Sequence, residues 1–293
     1  MRSHLPPLLL LCLLAACQSA PDDDTPPART PGLNLQRAED NLLALLKLRG
    51  ATDGAETVFY WEGQVYAQVP DEAPLHLFRY KGYSIGRFEV ADTGFQWLSR
   101  EVGLYCDPQT GEVLRRWYNP WLRDSVDVVQ VWNDPVNFRG TLGTYQLRPF
   151  VEAPGGTVLL GGDAILFYPS PLPASRYPQY ARSDNYHAAE FTTLTCRRAD
   201  LDDPQQSSVP ATLSWSRSGE FLPWMKMGQR PGQLYLHCQG YKVPGGFAGL
   251  PEAVQRYVTA QQPAFAHAPD TYSEPNATPW TYFRQKLETE GSK

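Results

Sequence analysis

A series of short β-type runs separated by turn sequences occupies most of this 293-residue chain. The first two runs, residues 57–61 and 64–69, flank Glu62 and Gly63 and predict a β-hairpin, because glycine readily adopts the backbone angles of a tight turn. The later runs lie at residues 76–90, 95–106, 112–118, 125–132, 144–150, 157–168, 186–197, 212–217 and 233–239. Short strands at regular spacing favour an antiparallel sheet.

Three other segments have a helical or ambiguous pattern. Residues 35–48 carry leucines at helical spacing, residues 250–262 carry an apolar stripe, and residues 278–287 predict a short helix or strand. Residues 35–287 therefore predict one mainly β domain with a few peripheral helices, followed by a tail at 288–293. A sheet this large must control its edges by closing into a barrel or by folding into two layers, and a large barrel commonly leaves an interior cavity.

The N-terminus has the pattern of an export signal. Residues 1–16 contain an apolar run at 8–14 that is too short to span a bilayer. The sequence Leu14-Ala15-Ala16-Cys17 resembles the bacterial lipobox, in which the cysteine receives a diacylglycerol. We therefore expect lipid anchoring at Cys17, and a plain secretory signal is the alternative. Acyl chains on one cysteine give durable membrane attachment.

The residues after Cys17 indicate which membrane holds the anchor and how the domain is connected to it. Gln18 stands where an aspartate would resemble an inner-membrane retention signal, so we expect the outer membrane of a Gram-negative host, with the protein facing the periplasm. Residues 17–34 are polar and rich in proline, and they predict an extended tether. The membrane is thus the expected partner, through the lipid alone.

Charge, cysteines and motifs exclude several classes of function. The net charge of -5 is spread without long basic runs, so nucleic acid is not an expected partner. Cys106, Cys196 and Cys238 lie at no metal-binding or redox spacing, and they form one disulfide or remain buried thiols. Phosphate-loop, zinc-protease and hydrolase-elbow motifs are absent from the sequence. No cofactor and no metal site is predicted.

Two strands carry charged residues among apolar ones. In residues 95–106, Arg100 and Glu101 lie on opposite faces that are otherwise apolar, so one of them must be buried with a partner or a shifted pKa. In residues 186–197, His187 and Glu190 also lie on opposite faces. A cofactor-independent enzyme would use Glu101 or Glu190 as general base and Arg100 or His187 to stabilise developing charge. Structural ion pairs are the alternative.

Several segments combine large rings, methionine and polar side chains. Tryptophan supplies contact area, methionine adapts to irregular shapes, and Asn or Asp orients a ligand, so such segments favour a pocket. Ordinary core packing is the alternative. The candidate ligand-binding residues are Trp117, Asn119, Asn133, Asp134, Trp215, Trp224, Met227, Tyr235 and His237.

A set of motifs in a fixed order resembles one known family. The motifs are residues 100–105, Asp107-Pro108 with Thr110-Gly111, Trp117 with Asn119-Pro120, residues 133–137, residues 222–225 with Met227-Gly228, and residues 278–283. They resemble the bacterial and fungal proteins grouped as domain of unknown function 1838, over about residues 40–283. The resemblance implies one family domain behind an export signal, and it carries no established reaction.

Three classes of function follow from these patterns. The leading hypothesis is a membrane-tethered β domain that binds a hydrophobic or aromatic small molecule. The second is a cofactor-independent isomerase, cyclase or hydrolase that uses a buried carboxylate. The third is a structural envelope protein without a ligand, for which we expect a solid core.

Overall fold

Twelve strands and four α-helices account for most of residues 32–141 and 150–290, which the computed structural model describes. The strands are β1 (Thr57–Gln68), β2 (Leu75–Ala91), β3 (Gly94–Cys106), β4 (Arg116–Asn119), β5 (Asp124–Asp127), β6 (Val131–Asn133), β7 (Phe138–Thr141), β8 (Phe150–Ala153), β9 (Thr157–Pro169), β10 (Asn185–Arg197), β11 (Thr212–Gly219) and β12 (Gln233–Lys242). The helices are α1 (Ala38–Arg49), α2 (Arg198–Asp202), α3 (Glu252–Gln261) and α4 (Pro279–Glu290).

Ten of the described strands form one large antiparallel sheet. Its order is β6-β3-β2-β1-β12-β11-β10-β9-β8, with β7 also paired to β3, while β4 and β5 form a separate hairpin. The predicted mainly β fold with a few helices is confirmed. Among the described strands the path runs openly from β6 to β8, so the closed barrel, one of the two predicted arrangements, is not formed.

The sheet buries apolar side chains on both faces. We call inner the face that carries Trp61, Tyr80 and Leu213, which join one large core cluster together with α1 and α4. The outer face packs a second cluster, in which residues such as Tyr83 and Val102 contact apolar side chains around α3. Because neighbouring residues of a strand point to opposite faces, strands β1, β2 and β3 contribute to both clusters, whereas the outer faces of β10 and β12 are exposed at Phe191 and Tyr235.

The hairpin predicted around Glu62 and Gly63 is wrong, because β1 runs through both residues as one strand. Gly63 pairs with Cys238 of β12 and with Tyr80 of β2. A Cβ atom on Gly63 would lie 2.1 Å from the carbonyl oxygen of His237. The glycine therefore permits close approach of two strands and does not make a turn.

The helical patterns give the correct elements at slightly different bounds. The run at 35–48 becomes α1, the stripe at 250–262 becomes α3, and the ambiguous segment at 278–287 becomes α4. The short helix α2 lies between the runs at 186–197 and 212–217, where the sequence indicated no helix.

Several sequence expectations fall outside the described residues. These are the export signal, Cys17, the tether up to residue 31, the run at 144–149 and the last residues of the tail. In the part of the chain that the structure describes, no helix is both long enough and apolar enough to cross a membrane. Cys106, Cys196 and Cys238 are buried free thiols, as the second of the two cysteine alternatives predicts.

Candidate functional site

A cavity of about 480 Å³ lies against the inner face of the sheet. Much of its wall is apolar and comes from α1 and from four strands of the sheet. These wall residues are Leu45, Trp61, Leu160, Leu194, Leu213 and Trp215, and the charged residues at the wall are Arg49, Glu101, Asp163 and Glu190. A core with such a space is not the solid core expected of a purely structural protein.

Curvature of the sheet brings Glu101 and Glu190 to the same cavity. Glu101 belongs to β3 and Glu190 to β10, and strands β2, β1, β12 and β11 lie between them in the sheet order. A flat sheet would keep two such strands far apart, since neighbouring strands are spaced by about 4.8 Å. Both carboxyl groups therefore reach the wall of one cavity, because the sheet curls around that cavity.

Glu101 has an amide as its hydrogen-bond partner. It is paired in register with Asn133 of β6, whose Nδ2 donates to Glu101 Oε2 at 2.9 Å. Burial raises the pKa of the Glu101 carboxyl, and the negative charge of Glu190 raises it further. The bond from Asn133 and the charges of Arg49 and Arg217 oppose this rise without cancelling it. The carboxyl is thus shifted towards its protonated form.

Glu190 has a cation as its partner. Arg217 lies opposite Glu190 on β11, and its Nε donates to Glu190 Oε1 at 3.1 Å. Trp215 Nε1 donates to Oε2 at 3.4 Å. The Arg217 side chain is only 10% exposed and also donates to the Tyr186 hydroxyl. The two carboxyl groups of one cavity therefore have different surroundings, which is how enzymes separate an acid from a base.

Arg100 lies on the outer face, opposite Glu101, as the alternation predicts. Its Nε donates to Asp134 Oδ2 at 2.8 Å, and its Nη1 donates to the carbonyl oxygens of Ala264 and His267. These bonds tie the segment before residue 270 to the sheet. Arg100 and Asp134 form a structural ion pair, the alternative reading for this strand, and they do not line the cavity.

The histidine and tyrosine candidates lie on the outer face. His187 packs its ring against Phe167 at 4.8 Å, on the opposite face from Glu190 as predicted. His237 Nδ1 lies 2.9 Å from Ser216 Oγ, and Tyr235 is exposed on the same face. None of the three lines the cavity. Among the described residues, no cluster of three or more potential metal ligands occurs.

The candidates Trp117, Asn119, Trp224 and Met227 form a packed cluster apart from the cavity wall. The Trp117 and Trp224 rings meet edge to face at 6.1 Å. Asn119 is fully buried, and its Nδ2 donates to the carbonyl oxygen of Met225 at 2.8 Å and to Met227 Sδ at 3.3 Å. Its Oδ1 accepts from the backbone of Trp121. Core packing accounts for these four side chains.

The sequence singled out Glu101, Glu190, Asn133 and Trp215, which the structure places at the site. Arg49, Trp61, Asp163 and Arg217 are among the site residues that were not singled out, although Arg217 shares a strand face with Trp215 by simple alternation. That alternation is the signal that could have found it. Nothing local to Arg49, in the last turn of α1, indicates that this side chain reaches the cavity.

The family model described as Protein of unknown function (DUF1838) matches residues 54–287. This range covers the whole sheet and most of α4. The chain therefore belongs to this family. No curated protein matches the chain.

Proposed function

We propose that this member of the DUF1838 family binds a hydrophobic or aromatic small molecule in the inner cavity. The observation that carries the proposal is the cavity itself, about 480 Å³ and walled by leucines and two indoles. Ligand sites of this kind commonly measure about 300–1,000 Å³ and combine an apolar wall with a few convergent polar groups.

The wall offers contact surface for a ring. The Trp61 and Trp215 ring centroids lie 6.2 Å apart, and Tyr80 lies 6.4 Å from Trp215. Aromatic side chains bury large areas and prefer offset or edge contacts with other rings. A flat apolar guest beside these indoles would bury apolar area and would make offset or edge contacts with the rings. Glu101 and Glu190 would fix its orientation.

Equilibrium dialysis with 2-ethylnaphthalene tests the proposal. We use the full-length Cys17→Ser chain, which cannot receive the lipid. Leu194→Trp fills the cavity from β10 and should weaken binding at least about tenfold, since the added ring occupies the guest's space. Phe191→Trp is the matched control, because Phe191 belongs to the same strand and is 48% exposed. No binding across a panel of apolar guests would contradict the proposal.

A second candidate function is cofactor-independent catalysis, as an isomerase, cyclase or hydrolase. The observation that favours it is the pair of carboxyl groups on one cavity, one held by an amide and the other by a guanidinium. Glu101 would supply a proton and Glu190 would accept one, while Arg217 replaces Arg100 and His187 as the neighbouring cation. Deuterium exchange next to the carbonyl of 2-acetylnaphthalene, followed by NMR, tests it. Exchange no faster than in the Glu101→Gln chain would reject catalysis of this kind.

We also propose that the domain is held on the envelope by a lipid on Cys17, at the outer membrane facing the periplasm. The support is Leu14-Ala15-Ala16-Cys17 with Gln18 next in the sequence. Radiolabelled palmitate should enter the wild-type chain in a Gram-negative host and not the Cys17→Ser chain. Gln18→Asp should move the protein to the inner-membrane fraction. Label that persists in Cys17→Ser would contradict the anchor.

A further inference from the structure

The hydrogen-bonding capacity of Glu190 is largely used by the protein. Arg217 holds Oε1 and Trp215 approaches Oε2, so each oxygen of this carboxylate has a donor. The bond from the Arg217 guanidinium is charge-assisted, and such bonds are stronger than those between neutral groups. A guest would need a strong donor to compete with these two partners.

Glu101 is the less satisfied of the two groups. Within the described part of the chain, its one hydrogen bond comes from Asn133 to Oε2. Asn133 is buried, and it can keep this bond whether or not the carboxyl carries a proton on its other oxygen. A protonated carboxyl has one O–H donor, and such a donor is costly to leave unpaired beside an apolar space.

Charged and titratable groups on several neighbouring elements act on Glu101, and Asp163 on β9 also lines the cavity. The charge of Glu190 on β10 opposes a second negative charge at the cavity. Arg49 on α1 and Arg217 on β11 favour the ionised form, although Arg217 already holds Glu190. Tyr80 on β2 and Tyr105 on β3 are buried phenols whose pKa values burial raises, so both remain neutral there. Like charges in one cavity favour one proton on the less solvated carboxyl.

We infer that the guest of this cavity carries a hydrogen-bond acceptor of the carbonyl class, and that the Glu101 carboxyl donates to it. The inference rests on the proposed function and names the chemistry of its ligand. A neutral carbonyl satisfies the Glu101 donor without bringing another charge into an apolar wall. A hydrocarbon guest of the same shape would leave that donor without a partner.

A matched pair of probes tests the inference by equilibrium dialysis. The ketone 2-acetylnaphthalene and the hydrocarbon 2-ethylnaphthalene have the same rings and nearly the same shape. The full-length Cys17→Ser chain should bind the ketone about three- to tenfold more tightly, the range expected for one net hydrogen bond. Binding of both probes with equal affinity would overturn the inference and leave the proposed function standing. Binding of neither would overturn both.

Variants of Glu101 distinguish hydrogen-bond donation by this side chain from packing alone. Glu101→Gln keeps an N–H donor at every pH, so it should retain the preference for the ketone. Glu101→Leu has no donor and should bind the ketone more weakly than the hydrocarbon, because the carbonyl oxygen gives up its hydrogen bonds to water without replacement. Circular dichroism and hydrocarbon binding show whether each variant is folded with its cavity intact. An unchanged ketone preference in a folded Glu101→Leu chain would overturn the inference.

The pH dependence supplies an independent readout. In the wild-type site the ketone preference should be complete at low pH and should decline as the pH rises through the raised pKa of Glu101, since the donor proton is lost. Glu190→Gln removes the repelling charge and should move this decline to lower pH. A preference that is constant with pH in the wild-type site, or that declines at the same pH in Glu190→Gln, would overturn the inference.

Discussion

Two glycines make room for the rings beside the cavity. Gly82 on β2 lies opposite Gly103 on β3 in the register of the sheet. A Cβ atom on Gly82 would lie 2.5 Å from Trp61 Nε1, and one on Gly103 would lie 1.9 Å from Tyr80 Oη. The Trp61 indole and the Tyr80 phenol therefore contact the backbone of these two glycines directly, and any side chain at either position would block the contact.

Gly82→Ala tests this packing. The added methyl group also meets the carbonyl oxygen of Val102 at 2.6 Å, so the backbone itself must shift. We expect a loss of about 1–3 kcal/mol in the free energy of unfolding, measured by chemical denaturation. Gly162→Ala is the control, because a Cβ atom there meets nothing within 4 Å. Equal stability of the two variants would contradict this account of the rings.

Asn119 is expected to act on stability rather than on binding. Its side chain joins the end of β4 to the carbonyl oxygen of Met225 and to the backbone of Trp121. Asn119→Ala leaves these buried groups unpaired and should cost about 1–3 kcal/mol, with the probe affinities unchanged. Exposed Gln109→Ala should cost almost nothing. A weaker probe affinity in a folded Asn119→Ala chain would restore Asn119 as a ligand-binding residue.

Local alternation predicted the placement of single residues well. It correctly placed Arg100 and Glu101 on opposite faces of β3, and His187 and Glu190 on opposite faces of β10. A two-residue period is a property of the strand itself, so the sequence carries it directly. Which of the two charges faces a cavity depends on the partner strands, and that information is not local.

Contacts between helices and strands include the C-terminal end of α1, which is hydrogen-bonded to Lys242 of β12. Lys242 Nζ donates to the carbonyl oxygens of Lys47 and Gly50 at 2.7 and 3.0 Å, and to Ser208 Oγ at 2.9 Å. The amino group at this position donates to carbonyl groups that the helix leaves unpaired. The side chain thus holds together the end of α1, the strand β12 and the segment after α2.

This contact predicts a pH dependence of stability. Burial lowers the pKa of Lys242 to about 7, and the nearby charge of Arg49 lowers it as well. Between about pH 7 and the ordinary lysine pKa the unfolded chain binds more protons than the folded chain, so stability rises with pH through this window. Lys242→Met should lose this rise, measured as the free energy of unfolding at several pH values. The same rise in both chains would contradict the assignment.

The elements themselves were predictable in kind but not in their pairing. Helical spacing gave α1 and α3 because the pattern that defines a helix is contained within it. The hairpin at Gly63 failed because the same residue type serves tight turns and close strand approach. The position of β12 between β1 and β11 joins segments far apart in the chain, and no local pattern encodes it.

The curl of the complete sheet creates the candidate site. Glu101 and Glu190 were predicted as separate candidates, and four intervening strands had to bend before one cavity held both. The remaining ring and histidine candidates scatter to the outer face and to the packed cluster around Asn119. Composition identified segments that combine aromatic and polar side chains. Which of these side chains reach one cavity depends on how the complete sheet folds.

The three domain thiols should be inert in the folded protein. Burial raises the pKa of Cys106 and Cys196 to about 11 and that of Cys238 to about 12. The reactive thiolate is therefore scarce at neutral pH. Iodoacetamide followed by peptide mapping should label these cysteines only after denaturation, with or without prior reduction. A disulfide between any two of them would contradict the structure.

A crystal structure of the full-length Cys17→Ser chain with 2-acetylnaphthalene would show where the guest binds and what its carbonyl oxygen contacts. We expect the naphthalene ring between the leucines and indoles of the inner cavity, with its carbonyl oxygen within hydrogen-bonding distance of Glu101. A guest seated on the outer face, or one whose carbonyl oxygen points away from Glu101, would contradict this expectation.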